Sequence, residues 1–149
     1  MKYVDASVVL GVLFAEVESS IPLTAGEQVV SSQLVEVETF RAVDRERLLG
    51  NLTDAEIAVK RKELTELLAM MDLAPIDRQV IDRAKSSFAV NLRALDALHV
   101  ATAELLTAET SGEPLEFWTY DERQAIAALS RGLTVRGVEP SQSLESADS

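Results

Sequence analysis

An α/β fold around a mainly parallel sheet is the class this sequence predicts, on three observations. Short β-branched or aromatic runs alternate with longer amphipathic stretches, the pattern of successive βα units. The 149 residues suit one compact domain. Their composition, 47% hydrophobic and 26% charged, can fill a core without a disulfide or a structural metal.

The predicted strands, in order, are Lys2–Val4, Gln28–Ser31, Leu73–Pro75, Glu116–Tyr120 and Thr134–Val138. Helices fill the gaps. A helix carrying Glu36 and Glu38 follows the second strand. The clearest helix start is Thr53-Asp54-Ala55-Glu56, where Thr53 can accept from an orphan backbone N–H and Glu56 can reach back; apolar periodicity then runs to Met71. Asp77, ahead of Val80, Ile81 and Ala84, reads as another N-cap. From Leu92 to Ala108 nearly every residue is apolar or small, so this helix is expected to be mostly buried, with Asp96 in its first turn. The domain is expected to span residues 1–140. Residues 141–149 hold a single Leu, too little to pack, and are expected to form a flexible polar tail.

No Cys is present, which removes thiol catalysis, Cys-ligated zinc and iron–sulfur clusters, and makes the cytoplasm the default compartment. The apolar run Val8–Ala15 falls far short of the roughly 20 residues that span a bilayer, and Asp5 interrupts a signal-peptide pattern, so no membrane association is expected. With 14 Lys plus Arg against 25 Asp plus Glu, the net charge is −11. A broad basic face for duplex nucleic acid is thereby excluded, and any nucleic-acid role must be local or metal-assisted.

In open parallel sheets, ligands bind beyond the carboxyl ends of the strands, and in this sequence those positions are acidic. Asp5 ends the first strand and Asp121 follows the fourth. Of Glu36 and Glu38, which point roughly 160° apart on a helix, only one can face the sheet. With Leu34 at zero, Val35, Val37, Ala42, Leu48 and Leu49 define an apolar arc; Glu38 falls inside it and Glu36 outside. An ion pair between Glu38 and Arg41 is the bland alternative. For Asp96 the bland role is pairing with the helix dipole. Strands 1, 2 and 4 are expected to be neighbours at a switch point, bringing Asp5, Glu38, Asp96 and Asp121 together. Two carboxylates 5 Å apart repel by about 3 kcal/mol at an effective dielectric of 20, so such a cluster needs protons or cations. All-oxygen donors suit Mg²⁺ or Mn²⁺ completed by a substrate phosphate, which favours phosphodiester chemistry.

Ser7 could bond the Asp5 carboxylate or a metal-bound water, or serve as a helix N-cap; Thr119 is similar. His99, three residues after Asp96, is expected to be a buried, hydrogen-bonded histidine rather than a ligand. Arg41, Arg45 and Arg93 could steer phosphate or pair with these acids. Phe40 and Val43, on the outward arc of the Glu38 helix, hint at a partner surface.

Together these residues resemble the PIN-domain ribonucleases, specifically the VapC toxins of type II toxin–antitoxin systems. The likeness spans residues 2 to 138. Its parts are Tyr3-Val4-Asp5-Ala6-Ser7, then Ser31-Ser32 with Val37-Glu38 and Arg41-Ala42. Leu95-Asp96-Ala97-Leu98-His99 with Ala101-Thr102-Ala103 follows, then Thr119-Tyr120-Asp121. The resemblance implies a three-layer α/β/α sandwich with a central mainly parallel sheet. It implies a Mg²⁺- or Mn²⁺-dependent endoribonuclease leaving 5′-phosphate and 3′-hydroxyl ends, neutralised by a cognate antitoxin across its groove, and usually a homodimer. The implied metal acids are Asp5, Glu38, Asp96 and Asp121, with Ser7 and Thr119 in support. The stretch Ser19–Glu27 looks shorter and less helical than in typical members.

Two other classes compete. A catalytically weak PIN-like module could use its acidic groove to receive a basic partner peptide, an Arg among the carboxylates displacing metal. A phosphoaspartate receiver or haloacid-type phosphatase also uses strand-end Asp, but Asp5-Ala6-Ser7 lacks the paired Asp of the phosphatase signature and no strand-end Lys is present.

Overall fold

The computed structural model describes residues 1–14, 26–110 and 114–138; most of Ser19–Glu27 and the tail at 141–149 lie outside the described residues. Among these residues five strands form one sheet: β1 (Lys2–Val4), β2 (Val29–Ser32), β3 (Asp72–Ala74), β4 (Glu116–Thr119) and β5 (Thr134–Gly137). Their order is β3-β2-β1-β4-β5 and every pairing is parallel. Each expected strand is present, shifted by at most one residue at either end.

Among the described residues six helices cover the sheet: α1 (Ala6–Phe14), α2 (Leu34–Leu48), α3 (Asp54–Ala69), α4 (Arg78–Ala84), α5 (Ala94–Glu109) and α6 (Glu122–Ser130). Successive residues of a strand face opposite ways, and the two cores follow that alternation. Val4 and Val29 join Val8, Val9, Val35, Val43, Leu64 and Leu68 beneath α1, α2 and α3. Tyr3, Val30 and Phe117 face the other side, against Val100 and Ala103 of α5 and Ala127 and Ala128 of α6. The result is the three-layer α/β/α sandwich.

Local chemistry sets the helix starts. Thr53 and Glu56 form a complete capping box, with Glu56 N–H donating to Thr53 Oγ1 at 3.2 Å and Thr53 N–H to Glu56 Oε1 at 3.0 Å. Asp77 accepts from Val80 N–H, as expected of an N-cap. At the end of β2, Ser31 donates to the Val4 carbonyl at 2.6 Å, and Ser32 Oγ accepts from Leu34 N–H at 3.1 Å. The two serines thus tie β2 to β1 and launch α2.

On α2 the structure corrects the helical-wheel reading. Its buried stripe is Val35, Thr39 and Val43, at i, i+4 and i+8, whereas Val37, Leu48 and Leu49 are each more than 60% exposed. Thr39 can lie in the core because its hydroxyl returns to the Val35 carbonyl at 2.6 Å, a possibility an apolar-only wheel omits. Val43 is therefore core, and Phe40, partly buried, packs against the same cluster beneath the Arg61 guanidinium.

Candidate active site

With β2 on one side of β1 and β4 on the other, the chain reverses its winding direction between β1 and β4, and a crevice opens beyond their carboxyl ends. Asp5 stands at the end of β1, only 2% exposed. Its Oδ1 accepts from Val8 N–H at 3.2 Å, so Asp5 itself caps α1. Ser7 therefore does not serve as that cap. Its hydroxyl donates to Asp5 Oδ1 at 2.6 Å and accepts from Tyr120 N–H at 2.9 Å. Thr119 repeats the arrangement, donating to Asp5 Oδ2 and accepting from Asp121 N–H at 3.0 Å. Both hydroxyls are thus used in both directions, locking the Asp5 carboxylate to the loop that carries Asp121. Asp121 in turn caps α6, accepting from Gln124 N–H at 3.1 Å.

Asp96 lies in the first turn of α5, half-buried, and lines a cleft of about 500 Å³ with Asn91, Leu92, Arg93, Asp121 and Arg123. The Arg123 guanidinium donates to the Asn91 carbonyl at 3.2 Å. Glu38 lines an adjoining groove of about 450 Å³ with Arg41, Ala42, Arg45, Leu48 and Leu95. Glu36 is exposed, so α2 does present Glu38 inward and Glu36 outward. The alternative ion pair between Glu38 and Arg41 does not form: Arg41 approaches Asp44 at 3.7 Å, and Glu38 Oε1 lies 2.6 Å from His99 Nε2. His99 is buried and hydrogen-bonded, as its place on an apolar helix suggests.

Sequence reasoning overlooked Gln124. It is 2% exposed, and which end of its amide is nitrogen follows from its neighbours. The nitrogen donates to Asp5 Oδ2 at 3.0 Å and to Asp96 Oδ1 at 3.1 Å. One donor atom therefore reaches two carboxylates 91 positions apart in the chain. The available signal was a neutral amide one turn after a strand-end Asp, amid the small residues Ala125, Ala127 and Ala128.

Electrostatics follow from this crowding. Burial pushes the Asp5 carboxyl above its ordinary value, opposed by hydrogen bonds from Ser7 and Thr119. Asp96 is raised as well, first by burial, then by the charges of Asp121 and Asp5, with a further contribution from Glu38. Among the described residues, no three Asp, Glu or His side chains close to metal-ligating distances. Glu38 is turned toward His99, and the Gln124 amide lies between Asp5 and Asp96. The donor set is nonetheless carboxylate oxygen throughout, the chemistry that suits a hard divalent cation.

The family profile of the PIN domain matches residues 2–129. "Ribonuclease VapC46" of Mycobacterium tuberculosis (strain ATCC 25618 / H37Rv) is 33% identical over 136 residues, covering 89% of this chain and 94% of that protein. "Ribonuclease VapC47" of Mycobacterium tuberculosis (strain CDC 1551 / Oshkosh) is 33% identical over 130 residues, covering 83% of this chain and 86% of that protein.

Proposed function

Because the chain belongs to the PIN-domain family and its VapC branch, we propose that it is a metal-dependent endoribonuclease, the toxin of a toxin–antitoxin pair. The observation that carries the reading is the approach of Asp5 and Asp96 to a single donor nitrogen, at 3.0 and 3.1 Å, with Asp121 and Glu38 adding charge around Asp96. Burying that much negative charge without a cation is unfavourable, and RNA hydrolysis gives a cation a reason to be there.

Asp5, Glu38, Asp96 and Asp121 are the side chains that would hold Mg²⁺ or Mn²⁺. Such an ion supplies neutralisation of phosphate charge and a more acidic water. The chain's own contribution is positioning. Ser7 and Thr119 hold both Asp5 oxygens, and Arg93 and Arg123 at the cleft rim offer guanidinium donors to phosphates flanking the scissile one. Hydrolysis forms a new P–O bond from water and breaks the bond to the 3′ oxygen, which leaves as the hydroxyl. A cognate antitoxin is expected to place a basic segment across the acidic groove, and the protein to act as a cytoplasmic homodimer. No described helix is long and apolar enough to cross a membrane.

The test is incubation of purified protein with total RNA in Mg²⁺, Mn²⁺ or EDTA, followed by sequencing of the cut ends. Cleavage is expected only with the ions, leaving 5′-phosphate and 3′-hydroxyl termini. Folded protein that leaves RNA intact under every condition would favour the binding module instead.

A further inference from the structure

We propose that Tyr3 and His99 form a hydrogen-bond relay that orients the Glu38 carboxylate, making His99 a positioning residue for the acidic site; this rests on the metal-dependent nuclease reading. The relay joins three elements. Tyr3 belongs to β1, His99 to α5 and Glu38 to α2, and the contacts are 2.7 Å from Tyr3 Oη to His99 Nδ1 and 2.6 Å from His99 Nε2 to Glu38 Oε1.

Hydrogen-bond capacity fixes the link to Glu38. A carboxylate only accepts, so Nε2 carries a proton and donates to Glu38, while Nδ1 meets the Tyr3 hydroxyl, which can donate or accept. Flipping the imidazole would turn ring carbons toward both partners. Packing holds the first link. Tyr3 is fully buried, stacks on Phe117 with centroids 5.3 Å apart and planes 9° from parallel, and meets the His99 ring edge-on at 5.9 Å. His99 is itself only 1% exposed.

A glutamate side chain turns about three torsions and rarely holds one arrangement unaided. Here one of its oxygens is pinned by a rigid donor, and Oε2 makes no hydrogen bond among the described residues. The adjacent Arg41, which could draw the carboxylate away, approaches Asp44 instead. His99 also lies one turn from Asp96, so the helix that bears one acid of the site aims another.

The experiment measures Mn²⁺ affinity by calorimetry, together with kcat and KM for RNA and Tm, in His99→Ala, His99→Gln, Tyr3→Phe and Glu38→Gln and in the pairwise combinations with Glu38→Gln. His99→Ala is expected to weaken Mn²⁺ binding by about 10-fold or more and to lower kcat with KM for RNA little changed. His99→Gln, which keeps a donor near Glu38, should recover part of the affinity. Tyr3→Phe, which keeps the stack on Phe117, should lose less than His99→Ala. In the Glu38→Gln background, neither His99→Ala nor Tyr3→Phe should weaken binding further. Wild-type affinity in His99→Ala, or a loss that adds in full to that of Glu38→Gln, overturns the relay while leaving the metal site standing. Folded wild-type protein that binds no Mn²⁺ overturns both. Should His99→Ala fail to fold, His99→Gln and Tyr3→Phe decide between the same outcomes.

Discussion

The Thr119 hydroxyl donates to Asp5 Oδ2 at 2.5 Å, bridging residues 114 apart in the chain at the ends of adjacent strands. Because that same hydroxyl accepts from Asp121 N–H, it couples one acid's side chain to the other's backbone.

Thr119→Val keeps the shape of the side chain and removes both bonds. A buried carboxylate losing a donor costs about 1–3 kcal/mol, or roughly 2–12 °C in Tm for a chain of this length. Ser7→Ala should act in the same direction on Asp5 Oδ1. Urea denaturation at neutral pH measures both, and a change below about 0.5 kcal/mol in Thr119→Val would mean the bond has no net worth.

Asp96→Asn should separate activity from stability. Metal-dependent RNA cleavage is expected to fall by at least about 100-fold, the scale of a lost catalytic contact. The ion-free fold should gain, because burial and the charges of Asp121 and Asp5 already disfavour the ionised form. Thermal unfolding in EDTA should show Tm of Asp96→Asn above that of the wild type. Asp5→Asn should abolish cleavage too, without that gain, since Asp5 anchors α1 and two hydroxyls. Full activity in either variant removes that acid from the mechanism.

The pH dependence has a definite sign. Asp5 and Asp96 both titrate above their ordinary value of 3.8 in the folded state, so the native protein holds more protons than the unfolded chain in that window. The stability they contribute is complete below the unfolded value and is lost as pH rises through the folded ones. Thermal unfolding in EDTA should therefore show these groups lowering Tm as pH climbs out of the ordinary carboxylate range. Added Mn²⁺ should raise Tm at about pH 7.5 and do so less at about pH 5, where protons compete for the same oxygens. An Mn²⁺ effect equal at both pH values would contradict a role for these two acids in holding the ion.

Gly137 pairs with Thr119 in the β4–β5 ladder at φ +101°, and a Cβ there would stand 2.3 Å from the Thr119 carbonyl oxygen. Gly137→Ala must shift the very strand end that holds Asp5. It should destabilise by more than about 1 kcal/mol and also weaken Mn²⁺ binding, although residue 137 bears no ligand. Wild-type Tm and Mn²⁺ affinity in this variant would show that β5 yields without disturbing β4.

Much of this architecture is legible in local chemistry. Apolar runs such as Val29-Val30 and Phe117-Trp118 mark strands, and Thr53 with Glu56 marks a helix start, because each signal acts within a few residues. Acids beyond strand ends follow from the topology of parallel sheets. The choice of Glu38 over Glu36 was reachable too, though the wheel behind it placed Val37, Leu48 and Leu49 on the wrong side by passing over Thr39. The contacts of Gln124 with Asp5 and Asp96, and of His99 with Glu38 and Tyr3, were not legible. They depend on the aim of side chains distant in the chain, which no periodicity encodes.

Asp5 and Asp121 each open a helix with oxygens that also lie at the crevice, so a descendant that abandoned RNA cleavage would still have a folding reason to keep them. Asp96 caps nothing, and leaving it charged works against the fold. Across divergent sequences of this kind, Asp96 is accordingly the sharper indicator of surviving nuclease chemistry, and the first acid expected to vanish when that chemistry is given up.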